Sequence, residues 1–125
     1  MTTLIDTSVL IDYLRGHMGA AKVLETRRQS GVLHASEITR LEVLAGMRRI
    51  EESSTRLLFS SLIWHDIDVG VAESAGELGR RWLPGHSGID SADLAVAATT
   101  MLIGAELLTL NVKHFPMFPG LRPPY

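Results

Sequence analysis

The stretch that decides the fold is Thr2-Thr3-Leu4-Ile5-Asp6-Thr7-Ser8-Val9-Leu10-Ile11. Its first part, residues 2–5, is a short apolar run that predicts a buried strand. The apolar residues that follow are Val9-Leu10-Ile11 and Tyr13-Leu14, and their spacing predicts a helix directly after the strand. A strand that leads straight into a helix is the opening of an α/β fold.

Short apolar runs and helical patterns alternate along the rest of the chain. Strands are predicted over residues 32–35, 63–67 and 106–110. Helices are predicted over residues 18–29, 51–61, 69–83 and 90–103, and one more helix follows Ser36, a natural N-cap. The alternation predicts a three-layer α/β fold, a short central parallel sheet flanked by helices. Ligands of such sheets bind beyond the carboxyl ends of the strands.

The length of 125 residues predicts a single domain, residues 1–125, because it leaves no room for a second core. The segment from about 116 to 125 contains several prolines, which disfavour helix and strand pairing. An irregular C-terminal tail on the surface is therefore expected.

The composition excludes several classes of protein. The chain contains no cysteine, which excludes disulfides and thiol catalysis and is consistent with a reducing compartment. No apolar run approaches the roughly 18 residues that a membrane span requires. No leader peptide is recognised at the amino terminus. A soluble, cytoplasmic protein without membrane contact is expected.

The net charge of −2 counts mildly against binding to nucleic acid, for which a basic face is typical. Ten of the twelve basic residues are arginine, the better bidentate ligand for phosphate. Three doublets, Arg27-Arg28, Arg48-Arg49 and Arg80-Arg81, are candidates for a phosphate-binding surface. Scattered, solvated charges explain each doublet equally well.

Asp6 ends the first predicted strand and precedes the first predicted helix. Its side chain is therefore expected at the carboxyl edge of the sheet, where ligands bind. The alternative is an aspartate that caps the helix or stabilises the turn.

Glu42 lies in the helix that follows Ser36. The spacing of three and four residues places it on one face with Ile38, Ala45 and Gly46. A carboxylate among apolar and small neighbours is expected to be half-buried, which is costly unless a cation or hydrogen-bond donors meet it. The alternative is a glutamate at the edge of an apolar stripe, paired with Arg49.

Asp90 and Asp93 open a helix that is otherwise almost entirely small and apolar. Their spacing of three places them on one face of its first turn. A capping box, with Asp90 as N-cap, explains the pair fully. The apolar remainder predicts a deeply packed helix whose N-terminus faces a cleft, so a functional role stays open beside the capping role.

These four acids would repel one another if the fold brought them together. Two carboxylates at about 4 Å repel by roughly 4 kcal/mol at an effective dielectric constant near 20. A proton or a divalent cation must relieve this repulsion. An all-oxygen site without thiols suits Mg²⁺ or Mn²⁺, and such a metal can activate water against a phosphodiester.

Four motifs resemble those of the PIN-domain family, in order and over residues 4–121. They are Leu4-Ile5-Asp6-Thr7-Ser8-Val9-Leu10, the run from Ser36 to Gly46 centred on Glu42, Asp93-Leu94-Ala95-Val96-Ala97-Ala98-Thr99, and Leu108-Thr109-Leu110-Asn111-Val112-Lys113-His114-Phe115. The resemblance makes Asp6, Glu42 and Asp93 the first three acids of the family's metal site. The closing motif often carries a fourth acid, and this chain has Asn111 and His114 there instead. Accessory roles are thus open to Asn111 and His114, and Asp90 is a candidate for the missing charge; Thr7 is a candidate for touching substrate or metal-bound water, with capping as the alternative.

The resemblance implies an endoribonuclease that cuts structured RNA, such as tRNA or rRNA, with Mg²⁺ or Mn²⁺. PIN domains of this length resemble VapC toxins, which implies a homodimer held inactive by a VapB-type antitoxin. Two alternatives remain at this point: a PIN-like interaction module without catalysis, suggested by the missing fourth acid, and a receiver-like signalling domain with Asp6 in an acidic pocket.

Overall fold

β1 (Thr3–Ile5) lies inside a four-stranded parallel sheet, with β2 (Leu33–Ser36) on one side and β4 (Glu106–Leu108) on the other. β3 (Leu62–His65) pairs with β2 and forms an edge, so the strand order is β3-β2-β1-β4. The computed structural model describes residues 1–125. The predicted three-layer α/β fold with a parallel sheet is confirmed.

Six helices connect and cover the strands: α1 (Thr7–Leu14), α2 (Met18–Gln29), α3 (Glu37–Gly46), α4 (Glu52–Ser60), α5 (Val69–Trp82) and α6 (Ser91–Leu102). Short 3₁₀ turns occur at Arg49–Glu51 and Val112–His114. Ser36 caps α3 as predicted, since its hydroxyl accepts the backbone N–H of Ile38 at 3.2 Å. None of the helices is both long and apolar enough to cross a membrane.

Several predicted boundaries were wrong by one to two residues. β4 ends at Leu108 and not at residue 110, because the N–H of Leu110 donates to the hydroxyl of Ser8 and not to a strand. β3 covers residues 62–65 and not 63–67, because Asp68 turns the chain into α5 by accepting the N–H of Val71. β2 begins one residue later than predicted and α1 two residues earlier.

Alternate residues of the central strands face opposite layers, as the two-residue period of a strand requires. Leu4 and Leu107 pack in one cluster with Val96 and Ala97 of α6. Ile5 and Leu108 pack in another cluster, with residues of α1, α2 and α4. The chain therefore has two apolar layers, one on each face of the sheet.

α6 is the most deeply buried helix, with every residue from Leu94 to Thr100 buried. Thr99 and Thr100 satisfy their hydroxyls by donating to the carbonyls of Ala95 and Val96, four residues earlier. α5 packs closely beside α6. Gly79 permits this approach, because a Cβ at that position would lie 3.2 Å from Leu94.

The C-terminal tail contains no helix or strand, as predicted. It does not simply rest on the surface, however, because Met117 is buried and Phe118 and Leu121 pack against the α6 layer. The tail then passes along β4 to the opposite layer, against which Tyr125 packs. The Tyr125 hydroxyl donates to Asp12 of α1 at 2.8 Å.

This tether yields a stability prediction. Tyr125→Phe should lower the free energy of unfolding by about 0.5–1.5 kcal/mol, the usual net contribution of one hydrogen bond. Tyr13→Phe is the matched control and should be nearly neutral, because the Tyr13 hydroxyl makes no hydrogen bond within the chain although its ring packs against the same layer. Urea titration of both variants checks this, and equal effects would contradict it.

Candidate active site

Asp6 follows β1 directly, at the point where the strand order reverses: β2 lies on one side of β1, and β4, which the chain reaches from β3, lies on the other. Such a reversal opens a crevice at the carboxyl edge of a parallel sheet. The Asp6 backbone is extended, and its N–H donates to the Leu108 carbonyl at 2.9 Å. Strand alternation therefore gives the side chain the same face as Leu4, the face covered by α6.

Two hydroxyls hold one oxygen of the Asp6 carboxylate, whose residue is only 5% exposed. Thr109 donates to Oδ2 at 2.7 Å and Ser8 donates to the same atom at 3.4 Å. Asp6 occupies the N-cap position of α1, yet its side chain makes no capping hydrogen bond. The helix-capping part of the alternative for Asp6 is therefore wrong, whereas the Ser8 hydrogen bond still joins Asp6 to the strand-to-helix turn. Sequence analysis missed Thr109; its signal is a polar residue directly after a buried strand.

Glu42 of α3 is half-buried beside the start of α1. The Thr7 hydroxyl donates to Glu42 Oε1 at 2.6 Å, and the buried Thr39 hydroxyl lies 3.1 Å from that of Thr7. Thr7 thus contacts a predicted site acid and does not cap α1. The alternative pairing of Glu42 with Arg49 does not occur. Ala45 and Gly46, expected to share the face of Glu42, are exposed.

Burial raises the pKa of the Asp6 carboxyl, and the nearby negative charge of Glu42 raises it further. Hydrogen bonding from the Thr109 hydroxyl, the Thr7 backbone N–H and the Ser8 hydroxyl lowers the pKa of Asp6 and opposes this rise. This pair of acids lacks a protein cation: no Lys, Arg or His forms an ion pair with either carboxylate. Ionised Asp6 is therefore a cost to the folded chain in the absence of another positive charge.

Asp90 and Asp93 form a capping box at the start of α6. Asp90 Oδ1 accepts the Asp93 N–H at 2.9 Å, and Asp93 Oδ2 accepts the Asp90 N–H at 3.1 Å. The capping role that the spacing allowed for Asp90 is confirmed, and Asp90 is exposed. Asp93 differs, because its side chain is only 13% exposed and Oδ2 also lies 3.2 Å from His114 Nδ1.

Burial raises the pKa of the Asp93 carboxyl to about 6. The charge of Asp90 contributes to this rise, whereas the Asp90 backbone N–H and His114 oppose it. Of the three residues considered for the missing fourth acid, the structure places Asp90 and His114 beside Asp93. Asn111 is exposed, and its side chain makes no hydrogen bond within the chain.

The acids thus form two groups, Asp6 with Glu42 and Asp93 with Asp90. No set of three or more His, Asp or Glu side chains is arranged so that it could hold a metal ion by itself. The segment from Thr109 to His114 connects the groups, since Thr109 binds Asp6 and His114 binds Asp93. Five residue steps span at most roughly 17 Å, and α3 packs against both α1 and α6.

One oxygen of each of three acids has no well-formed hydrogen bond. Oδ2 of Asp6, Oε1 of Glu42 and Oδ2 of Asp93 are held by protein donors. Their second oxygens have no such partner. The only side-chain oxygen that is both buried and unpartnered is Oγ1 of Thr55, so these three second oxygens all reach solvent.

The arginine doublets do not form one surface at this site. Arg27 makes a bidentate pair with Glu106, at 3.0 and 2.8 Å, at the opposite, amino edge of the sheet. Arg48 pairs with Glu51 at 3.0 Å. Arg80 lies 4.0 Å from Glu77 on exposed α5 surface. Internal pairing accounts for Arg27 and Arg48, whereas Arg80 is a solvated charge, as the alternative of scattered charges expects.

The chain is similar to known proteins over nearly its full length. The family model of the PIN domain matches residues 3–116. The chain is 44% identical to Ribonuclease VapC19 of Mycobacterium tuberculosis over 123 residues, which is 98% of each protein. It is 37% identical to Ribonuclease VapC10 of the same organism, over 98% of this chain and 92% of the relative.

Solved structures agree with these relatives. A chain from a toxin–antitoxin complex of Klebsiella pneumoniae has a TM-score of 0.83 at 30% identity, covering 99% of this chain and 98% of that chain. A chain of VapBC2 from Rickettsia felis, bound to a promoter DNA fragment, has a TM-score of 0.82 at 22% identity, with coverage of 97% and 96%, and shares the fold.

These matches exclude the receiver-like signalling domain. The strand order, the positions of Asp6, Glu42 and Asp93 and the similarity over 98% of the chain lead to the same family. The chain belongs to the PIN-domain family, and within it to the VapC type.

Proposed function

We propose that this chain is a Mg²⁺- or Mn²⁺-dependent endoribonuclease that acts as the toxin of a toxin–antitoxin pair. The observation that carries the proposal is the set of three anchored carboxylates, Asp6, Glu42 and Asp93, each with one oxygen left for a ligand. The curated relatives are named ribonucleases, which supports the reaction class. Structured RNA, such as tRNA or rRNA, is the substrate that the family resemblance implies.

The donor set suits a hard divalent cation. The available ligands are carboxylate oxygens, and Mg²⁺ is usually held by one or two carboxylates together with water and substrate phosphate. Binding of Mg²⁺ therefore does not require three ligands from protein side chains. Asp6 and Asp93 would hold the ion, with Glu42 beside them and Asp90 acting through water. When bound, the ion supplies an activated water and neutralises charge on the phosphodiester.

The chain's own groups have separate tasks around this site. Thr7 and Thr109 hold Glu42 and Asp6 by donating to one oxygen of each. Asp93 fixes the His114 ring through Nδ1. Nε2 of that ring makes no hydrogen bond within the chain, and the side chain is 40% exposed. His114 is therefore placed to donate to a phosphate oxygen of RNA.

We further propose that the chain forms a homodimer and is inhibited by a VapB-type antitoxin. The similar solved chains belong to toxin–antitoxin and VapBC complexes, which supports such a partner. A groove of about 620 Å³ between α1, α2 and α4 offers a docking surface, lined by Tyr13, Leu14 and Leu57 among others. This groove lies at the C-terminal end of α1, whereas Asp6 precedes its N-terminus. The antitoxin segment would therefore continue from the groove along α1, so that an Arg or Lys of it reaches the carboxylates.

The metal proposal predicts how the melting temperatures of the wild type and the Asp6→Asn variant compare with and without Mn²⁺. Mn²⁺ should raise the melting temperature of the wild type, because a ligand of the native state adds RT ln(1 + [L]/Kd) to stability. Asp6→Asn should weaken this effect. Without metal the variant should be as stable as the wild type or more so, because Asn removes a buried charge and still accepts from Thr109.

The pH dependence follows from the raised pKa of Asp6. The folded chain gives up the Asp6 proton less readily than the unfolded chain, so the stability penalty develops as pH rises above the ordinary Asp value and is complete only above the raised pKa of the folded chain. The stability gain of Asp6→Asn should therefore be larger at pH 7 than at pH 4. Asp66→Asn, at an exposed position, is the control. If Asp6→Asn melted far below the wild type without metal, Asp6 would be a residue that stabilises the fold and not a metal ligand.

Cleavage of total RNA in saturating Mn²⁺ tests the assignment of the two acids on α6. Asp93→Ala should abolish cleavage, because it removes a direct metal ligand. Asp90→Ala should reduce it only about 10- to 100-fold, as expected for a group that acts through an intermediate partner. Asp90→Ser preserves the helix cap and separates loss of the cap from loss of the charge.

Full activity of Asp93→Ala would contradict the assignment of Asp93 as a metal ligand and the site proposed here. An inactive Asp90→Ala beside an active Asp93→Ala would reverse the two roles. A wild-type chain that binds Mn²⁺ and cuts no RNA would instead be a PIN-like interaction module.

The antitoxin surface has its own test. Leu57→Glu should weaken binding of the antitoxin encoded beside the chain at least about 10-fold, because it replaces one of the four apolar side chains that line the groove with a charge. Leu57 is 74% exposed, so folding should be unaffected. Met18→Glu, at an apolar position that is 86% exposed and outside the groove, is the control. Titration calorimetry measures both, and equal affinities would reject the groove.

A further inference from the structure

We propose that Thr109 is a positioning residue of this active site. Its hydroxyl holds the Asp6 carboxylate so that Oδ2 faces the protein and Oδ1 faces the cleft. The inference rests on the proposed function, because the fixed Oδ1 matters only if Asp6 binds a cation.

The location of Thr109 follows from the register of the sheet. Thr3, Leu4 and Ile5 pair with Glu106, Leu107 and Leu108. Continuing this register by one residue places Thr109 opposite Asp6, and the Asp6 N–H still donates to the Leu108 carbonyl. The side chains of paired residues lie on the same face of a sheet. The register of β1 and β4 therefore places the Thr109 hydroxyl beside the Asp6 side chain.

The hydroxyl of Thr109 is completely buried and used in two hydrogen bonds. Oγ1 donates to Asp6 Oδ2 at 2.7 Å and accepts the Asn111 N–H at 3.0 Å. Ser8 is the weaker donor, at 3.4 Å, and its oxygen also accepts the Leu110 N–H. Burying a hydroxyl is costly unless it is partnered. Valine has the same shape, so packing alone does not account for a threonine here.

These contacts determine the orientation of the carboxylate. The terminal torsion of an aspartate is broad and roughly two-fold, so an unrestrained Asp6 could exchange its oxygens. The branched side chain of Thr109 is stiff at its first torsion, and the Asn111 N–H fixes its oxygen from behind. Donation therefore runs in one direction, from Asn111 through Thr109 to Asp6. Oδ1 is left as the oxygen that faces solvent.

Thr109 also links the two groups of acids. Five residues later in the same segment, His114 contacts Asp93. One short piece of chain therefore sets an oxygen of Asp6 and an oxygen of Asp93. Loss of the Thr109 hydroxyl would release Asp6 from this arrangement and leave the His114 contact intact.

Two substitutions of Thr109 separate the hydroxyl from packing. Thr109→Val keeps the shape and removes the donor, whereas Thr109→Ser keeps the donor and removes a methyl group. We expect Thr109→Val to weaken Mn²⁺ binding about 10- to 100-fold in titration calorimetry, the usual effect of losing a partner that orients a metal ligand. The kcat for RNA cleavage should fall with it. Thr109→Ser should bind Mn²⁺ like the wild type, even if its metal-free melting temperature is lower.

The reverse pattern, in which Thr109→Ser loses Mn²⁺ affinity and Thr109→Val keeps it, would assign Thr109 to packing and overturn the inference. If Thr109→Val does not fold, Thr109→Ala removes the same donor without adding bulk. In the Asp6→Asn background, Thr109→Val should cause no further loss of Mn²⁺ affinity, and an additive loss would also overturn the inference. A wild-type chain that neither binds Mn²⁺ nor cuts RNA contradicts the proposed function itself. Normal binding by both wild type and Thr109→Val contradicts only the role of Thr109.

Discussion

Parallel pairing of β1 with β4 is the constraint on which the site depends. The two strands are adjacent in the sheet although about a hundred residues separate them in the chain, and their register places Thr109 beside Asp6. The chain beyond Thr109 then places His114 beside Asp93. Buried side chains on both faces hold this pairing, since Leu4 and Ile5 contribute to opposite apolar layers. The same packing that stabilises the sheet thus positions the acids.

Carboxylates at the two edges of the sheet differ in whether a cation of the chain neutralises them. At the amino edge, Glu106 is neutralised by a bidentate contact from Arg27. At the carboxyl edge, the side-chain donors to Asp6 and Glu42 are hydroxyls of Thr109, Ser8 and Thr7, which orient a carboxylate without cancelling its charge. Burial then raises the pKa of Asp6. An unneutralised acidic group is costly to the fold, and a bound cation is the simplest way to offset that cost.

Helix capping and the proposed role of Asp93 as a metal ligand are compatible at the start of α6. Asp90 is exposed and uses one oxygen to cap the helix. Asp93 returns the hydrogen bond with Oδ2, contacts His114 with the same atom and leaves Oδ1 unpartnered. The capping box therefore holds Asp93 in one orientation without consuming both of its oxygens. The deep burial of residues 94–100 fixes the position of this helix end relative to β1.

The sequence by itself determined the α/β class and the order of the elements, because strand and helix periods are read from neighbouring residues. Through the resemblance of its motifs, it also identified the three acids that we propose for the site. It also predicted Ser36 as a cap, for which the relevant atoms lie two residues apart. The tertiary structure alone decided that Glu42 is held by Thr7 and not by Arg49, that His114 and not Asn111 reaches Asp93, and that Thr109 holds Asp6. Each of these contacts joins residues from different elements. Their geometry depends on strand register and helix packing, which no local pattern specifies.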